Sequence, residues 1–175
     1  MIEYELPYSS FLVANRNYCE NIEMQLQTLG ADCNGYCNGF GYEIDSVFIR
    51  NNLTYNIKFI KYQTTQGKGD AHEYAGLELF ISGINNKGEF VAGKSIIKRL
   101  FTPYEIKSIL PKPYYMKFED WSYSEFNESF AHFLLKNSIS GIRLKEGKLA
   151  VKIHEPIDEI AEFITDIEKL IRQIP

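Results

Sequence analysis

Leu53-Thr54-Tyr55-Asn56-Ile57-Lys58-Phe59 alternates large apolar with polar side chains without a break. Successive side chains on an extended chain point to opposite faces, so this period of two specifies a strand with one dry and one wet face. Turn-forming pairs lie on either side of such runs: Asn51-Asn52, Asn85-Asn86-Lys87-Gly88 and Glu146-Gly147. They divide the strand-like sequence into three expected hairpins, 42 to 62, 76 to 98 and 141 to 153. Tyr114 to Phe118 adds a further short strand.

Outside this region the period changes. Ile157, Ile160, Ala161, Ile164, Ile167, Ile171 and Ile174 recur at three- and four-residue steps, which predicts a helix over 157–173. Pro156 stands at its entrance, acids fill its first turns, and Lys169 and Arg172 fill its last, the order that suits the helix dipole. Ser122-Tyr123-Ser124-Glu125 reads as a capping box opening a helix over 123–136, with Trp121 and Phe126 placed to form a hydrophobic staple. Thr102-Pro103-Tyr104-Glu105 opens a shorter one over 103–110, stopped by Pro111. Near the front, Phe11, Ala14, Tyr18, Ile22, Gln25 and Leu29 predict a helix over 10–29 with Gly30 just past its end.

Two stretches carry no period. Gly30 to Gly41 holds Asn34-Gly35 and Asn38-Gly39 and reads as a turn-rich loop. Thr64 to Tyr74 holds Gly67-Lys68-Gly69-Asp70 and reads as a mobile loop. Strands grouped in hairpins, without regular strand-helix alternation, predict an α+β fold: an antiparallel sheet built from hairpins and flanked by amphipathic helices. The 175 residues, without repeats or linkers, are expected to form a single domain over 1–175.

Hydrophobic residues make up 45% and charged residues 24%, which excludes a disordered chain. No apolar run approaches the roughly 20 residues of a spanning helix, and the acidic start Met1-Ile2-Glu3-Tyr4-Glu5 is unlike a signal peptide. A cytoplasmic protein with no membrane partner is the expectation. Cys19, Cys33 and Cys37 are an odd set, so free thiols are expected over a disulfide framework. With His72 they would be a loose zinc set, but no second closely spaced ligand pair completes it, and no metal is assigned.

Asp70-Ala71-His72-Glu73 sets an imidazole between carboxylates, the residue types of a general base. No nucleophile of recognisable context accompanies it, so Asp70, His72 and Glu73 are weak catalytic candidates for a small hydrolase using the 68–73 loop. His132 and His154 carry no assigned role. Gly67-Lys68-Gly69 is not a Walker loop, and Gly35, Gly39 and Gly41 do not make a dinucleotide fingerprint, so no cofactor is expected.

Net charge is -4, yet residues 87 to 117 carry seven bases against Glu89 and Glu105. This basic segment interleaves with Phe90, Phe101, Tyr104, Tyr114 and Tyr115, a mixture that single-stranded nucleic-acid binders use, with Lys94, Lys98 and Arg99 as contacts. The overall acidity opposes that reading. The leading expectation is a non-enzymatic acidic protein-binding module, such as an inhibitor or immunity-type protein that neutralises a basic partner. Trp121, Glu119, Asp120, Glu125 and Glu128 are its expected contacts.

Overall fold

A computed structural model describes residues 1–5, 10–66, 70–85, 88–102, 104–118 and 124–174; at 10–11, 64–66, 70–72, 105–106 and 124–125 it describes the backbone. In chain order the elements are β1 (Ile2–Tyr4), α1 (Ser10–Thr28), β2 (Asp32–Asn38), β3 (Gly41–Arg50), β4 (Leu53–Gln66), β5 (Asp70–Ser82) and β6 (Phe90–Lys94). They continue with α2 (Ile96–Leu100), α3 (Tyr104–Ile109), β7 (Tyr114–Phe118), α4 (Ser124–Lys136), β8 (Gly141–Lys145), β9 (Lys148–Ile153) and α5 (Ile160–Gln173). The strands form one sheet in the order β1-β2-β3-β4-β5-β9-β8-β6-β7. The fold is α+β, as the alternation predicts. The sheet is mixed, because β1 runs parallel to β2 while the other pairs are antiparallel.

Tyr55, Ile57 and Phe59 form the dry face of β4. One core row runs through seven strands in register: Ser46, Ile57, Leu79, Val151, Ile142, Ala92 and Met116. All seven are buried. Helix α1 packs on β2 and β3 and against α5, and α5 packs against α4. The opposite face of the sheet leaves Val47 and Phe80 exposed.

Two of the three hairpins form as read. Asn51 and Asn52 both take positive φ (52° and 62°), as do Glu146 and Gly147 (51° and 69°), the geometry a tight two-residue hairpin turn requires. The 76–98 hairpin does not form. The free edge of β5 takes β9, and β6 pairs instead with β8 and β7. After β5 the chain leaves the sheet at Ile84, whose N–H donates to the Gly147 carbonyl (3.2 Å), so the segment crosses the end of the β8–β9 hairpin instead of turning back.

The two aperiodic stretches are also strands. Residues 32–38 form β2, with the turn confined to Asn38–Gly41, where the Asn38 side chain accepts from the amides of Phe40 and Gly41 (both 2.9 Å). Gly35 lies within β2, where a Cβ would sit 2.0 Å from the Glu43 carbonyl oxygen, so the Asn-Gly pair there serves close strand approach and not a turn. The expected 64–74 loop is the end of the β4–β5 ladder, paired out to Gln66↔Asp70; residues 67–69 lie outside the described residues.

Helix α1 closes with Ala31 N–H to Leu26 O (3.1 Å) and Gly30 N–H to Gln27 O (3.0 Å), Gly30 at φ 76°. Helix α5 begins at Ile160, not at 157. Ile157 is held instead by Tyr18, whose hydroxyl donates to the Ile157 carbonyl (2.9 Å). The Glu159 side chain makes no cap bond. The cap comes from α1: Gln25 Oε1 accepts from Ile160 N–H (2.8 Å) and Ala161 N–H (3.4 Å). Helices α3 and α4 match the expected 103–110 and 123–136 to within one residue at each end; Pro103 and the capping residues Ser122 and Tyr123 lie outside the described residues.

Candidate functional site

Strand β5 carries the backbone of Asp70, His72 and Glu73, with His72 opposite Thr64 and Glu73 opposite Gln63. The side chains of Asp70 and His72 lie outside the described residues. Glu73 pairs with Lys61 at 2.9 Å, and the hydrogen bond from that ammonium holds its carboxyl below the usual range. It is an ion-paired strand residue. His132 is exposed on α4, and His154 is exposed at the end of β9 with its ring 5.9 Å from that of Tyr74.

Cys19, Cys33 and Cys37 sit in the core where α1 meets β2. Burial pushes all three thiols up, the neutral form expected of small apolar core groups. Among the described residues no three His, Cys, Asp or Glu side chains are grouped as metal ligands would be.

Lys94, Lys98 and Arg99 are brought together where β6 enters α2, and each has an intramolecular task. Lys94 lies 5.6 Å from the Tyr114 ring centroid and 3.9 Å from Glu155. The Lys98 ammonium lies 5.1 Å from the Tyr115 ring centroid and donates to its hydroxyl (3.2 Å). The Arg99 guanidinium donates to the carbonyls of Leu110 (2.6 Å), Lys107 (3.1 Å), Pro111 (3.3 Å) and Tyr114. It thereby satisfies carbonyls that the end of α3 leaves without helical partners. Tyr114 and Tyr115 are only 6% and 8% exposed, so their rings offer no stacking surface.

Of the expected acidic contacts, Glu128 is exposed on α4. Glu119, Asp120 and Trp121 lie outside the described residues, as does the side chain of Glu125. A separate feature is a groove of ≈ 280 Å³ at the start of α5, lined by Glu155, Asp158, Glu159 and Glu162 and by one cation, Lys136, which pairs with Glu162 (2.8 Å).

The most distinctive surface was not expected. Helix α2 is capped by Ser95, whose hydroxyl accepts from Lys98 N–H (3.3 Å), and it buries none of its own residues. Ile96 (73% exposed), Ile97 (72%), Leu100 (70%), Phe101 (84%) and Tyr104 (81%) form an apolar ridge running from α2 into α3. Beside it lies a recess of ≈ 570 Å³ lined by Ile96, Arg99, Leu100, Lys107, Lys112 and Pro113. A run of neighbouring large apolar side chains, each more than two thirds exposed, is uncommon on a surface that contacts only water. The sequence signal was present: Ile96 and Leu100, and Ile97 and Phe101, form two i,i+4 pairs, more apolar surface than a short helix can turn toward one core. Comparison with known proteins finds no family model, no curated protein and no solved structure that matches the chain.

Proposed function

We propose that the chain is a non-enzymatic protein-binding module that meets its partner through the α2–α3 ridge. The observation that carries this reading is the joint exposure of Ile96, Ile97, Leu100, Phe101 and Tyr104. Exposed aliphatic and aromatic side chains around a recess are the anchors from which association draws most of its free energy. The ridge stands on a firm base, because Arg99 ties α2 to four backbone carbonyls of α3, the following turn and β7. Arg99 is in this reading a positioning residue for a docking surface, not a nucleic-acid contact.

The test pairs wild type with Ile96→Asp/Leu100→Asp, a variant that changes two exposed positions and keeps the circular dichroism and melting profile of the parent. Affinity capture from the host lysate yields a stoichiometric protein partner with wild type and loses it with the variant. A partner retained in full by the variant, or turnover of a hydrolase substrate that His72→Ala abolishes, refutes the proposal.

A second reading has its own observation, the acid-lined groove at the start of α5. Glu155, Asp158, Glu159 and Glu162 are all exposed, and Asp158 and Glu159 make no ion pair among the described residues. Such a groove would steer a basic protein, which is the inhibitor or immunity-type role. Asp158→Lys/Glu159→Lys separates the readings: it removes a basic partner held by the groove and leaves a ridge-bound partner in place.

A further inference from the structure

We infer that the recess between α2, α3 and Pro113 receives a bulky apolar side chain from an acidic segment of the partner, an inference that rests on the ridge being the docking surface. Its shape is the first reason. At ≈ 570 Å³ the recess has the size of a small-ligand pocket or a seat for one or two large side chains, and aliphatic Ile96 and Leu100 with Pro113 make its apolar wall.

Charge is the second reason, and it points away from what the net charge of -4 suggests. Arg99, Lys107 and Lys112 line the recess and Lys98 stands on the same helix as Arg99. None of the four makes an ion pair with a described carboxylate. Lys98 donates to the Tyr115 hydroxyl (3.2 Å), Lys107 donates to the Leu100 carbonyl (3.1 Å), and Arg99 is turned toward carbonyls. Elsewhere on the surface Lys58, Lys61, Lys136 and Lys152 each have a carboxylate within 2.9 Å. Among the described residues, then, no carboxylate pairs with the cations that stand beside this apolar cavity. Carboxylates on an approaching segment complement them, and within a Debye length of about 8 Å at physiological salt that attraction is felt before contact.

Two other occupants fit less well. A bilayer has no fixed side chain to seat in a recess. Single-stranded nucleic acid would find exposed rings at Phe101 and Tyr104, but the rings that pair with Lys94 and Lys98 are buried and the recess wall of Ile96, Leu100 and Pro113 is aliphatic, which gives a base no stacking face there.

The probe is a library of short random peptides selected on the immobilised full-length chain at low salt. Recovered peptides are then labelled and measured by fluorescence anisotropy against wild type, Leu100→Asp and Lys107→Glu/Lys112→Glu. Vesicles of phosphatidylcholine with phosphatidylserine and a single-stranded oligonucleotide serve as parallel arms. The expected peptides combine Asp or Glu with Leu, Phe or Trp. Their affinity falls about tenfold in the charge-reversed variant and with added salt, and is lost with Leu100→Asp. Peptides that are basic or uncharged, yet lost with Leu100→Asp, overturn the acidic partner while leaving the ridge as a docking surface. No recovered peptide, peptides indifferent to Leu100→Asp, or binding confined to vesicles or oligonucleotide overturns both.

Discussion

Glu168 is a carboxylate only 7% exposed, on a helix face otherwise made of Ile160, Phe163, Ile164, Ile167 and Leu170. A charge in such a place persists only when its oxygens are satisfied. Here Oε1 accepts from Asn51 Nδ2 (3.2 Å) and the Tyr55 hydroxyl (3.2 Å), and it forms an ion pair with Arg50 Nε (3.1 Å). These donors come from the β3–β4 turn and the strand after it, so one carboxylate fastens α5 to the hairpin whose alternation sets the fold. The Tyr55 hydroxyl is pushed up by burial and by the adjacent Glu168 charge, which keeps it a donor. Glu168→Ala is expected to lower unfolding free energy by about 2–3 kcal/mol, because it orphans the buried Tyr55 hydroxyl. Glu168→Gln keeps an acceptor and loses only the ion pair with the partly exposed Arg50, at a cost of about 1 kcal/mol or less. Chemical denaturation measures both; equal losses for the two variants would show that charge, not hydrogen bonding, is what holds the contact.

At the scale of elements, the junction of α1 with α5 shows how a helix can lack its own cap. No Ser, Thr, Asp or Asn cap precedes Ile160, and Gln25 supplies the acceptor from another helix. Its amide nitrogen donates to the Asp158 carbonyl, so both ends of the side chain are engaged. Gln25→Ala is predicted to cost about 1–2 kcal/mol, the scale of a lost N-cap, with Gln25→Glu milder because it keeps the acceptor beside the helix N-terminus. A Gln25→Ala midpoint within error of wild type in urea would rule out the cross-helix cap. The same junction explains what the sequence disclosed and what it did not. The isoleucine spacing is local and names α5, but its start depends on Tyr18 and Gln25, more than 130 residues earlier in the chain. Asn51-Asn52 and Glu146-Gly147 were legible because a turn makes its demands on adjacent residues. Asn85 to Gly88 offered the same local chemistry, yet β5 pairs with β9, a choice made by a strand about 70 residues downstream. The ridge was hidden for another reason. Ile96, Ile97, Leu100 and Phe101 have the composition of core residues; their two i,i+4 pairs signal an excess of apolar surface, but the direction it faces is set by the course of α2 along β7.

For the molecule as a whole, the sheet order has a consequence for cooperativity. Strands β1 to β5 form one block and β6 with β7 another, and the late hairpin β8–β9 is inserted between them. Neither block touches the other through its own ladder. Val151, fully buried, lies between Leu79 of the first block and Ile142, which passes the register on to Ala92 of the second. The apolar core is correspondingly one cluster that runs from Ile2 to Ile174. Folding of either block therefore exposes an edge and half a core until the C-terminal hairpin arrives, and the chain should melt as one unit. Val151→Ala removes two buried methyl groups at the seam. It is expected to cost about 2 kcal/mol and to lower the melting temperature by roughly 4–8 °C, given a shift of about 2–4 °C per kcal/mol for a chain of this size. The form of the transition is the sharper readout. Calorimetry should give one peak whose calorimetric and van't Hoff enthalpies agree, in the variant as in wild type. Amide exchange in β5 and in β6 should lose protection together, since the hairpin that opens is the common neighbour of both. A variant that melts in two steps, with β1 to β5 keeping their protection while β6 and β7 exchange, would show that the blocks are independent and that the hairpin only bridges them.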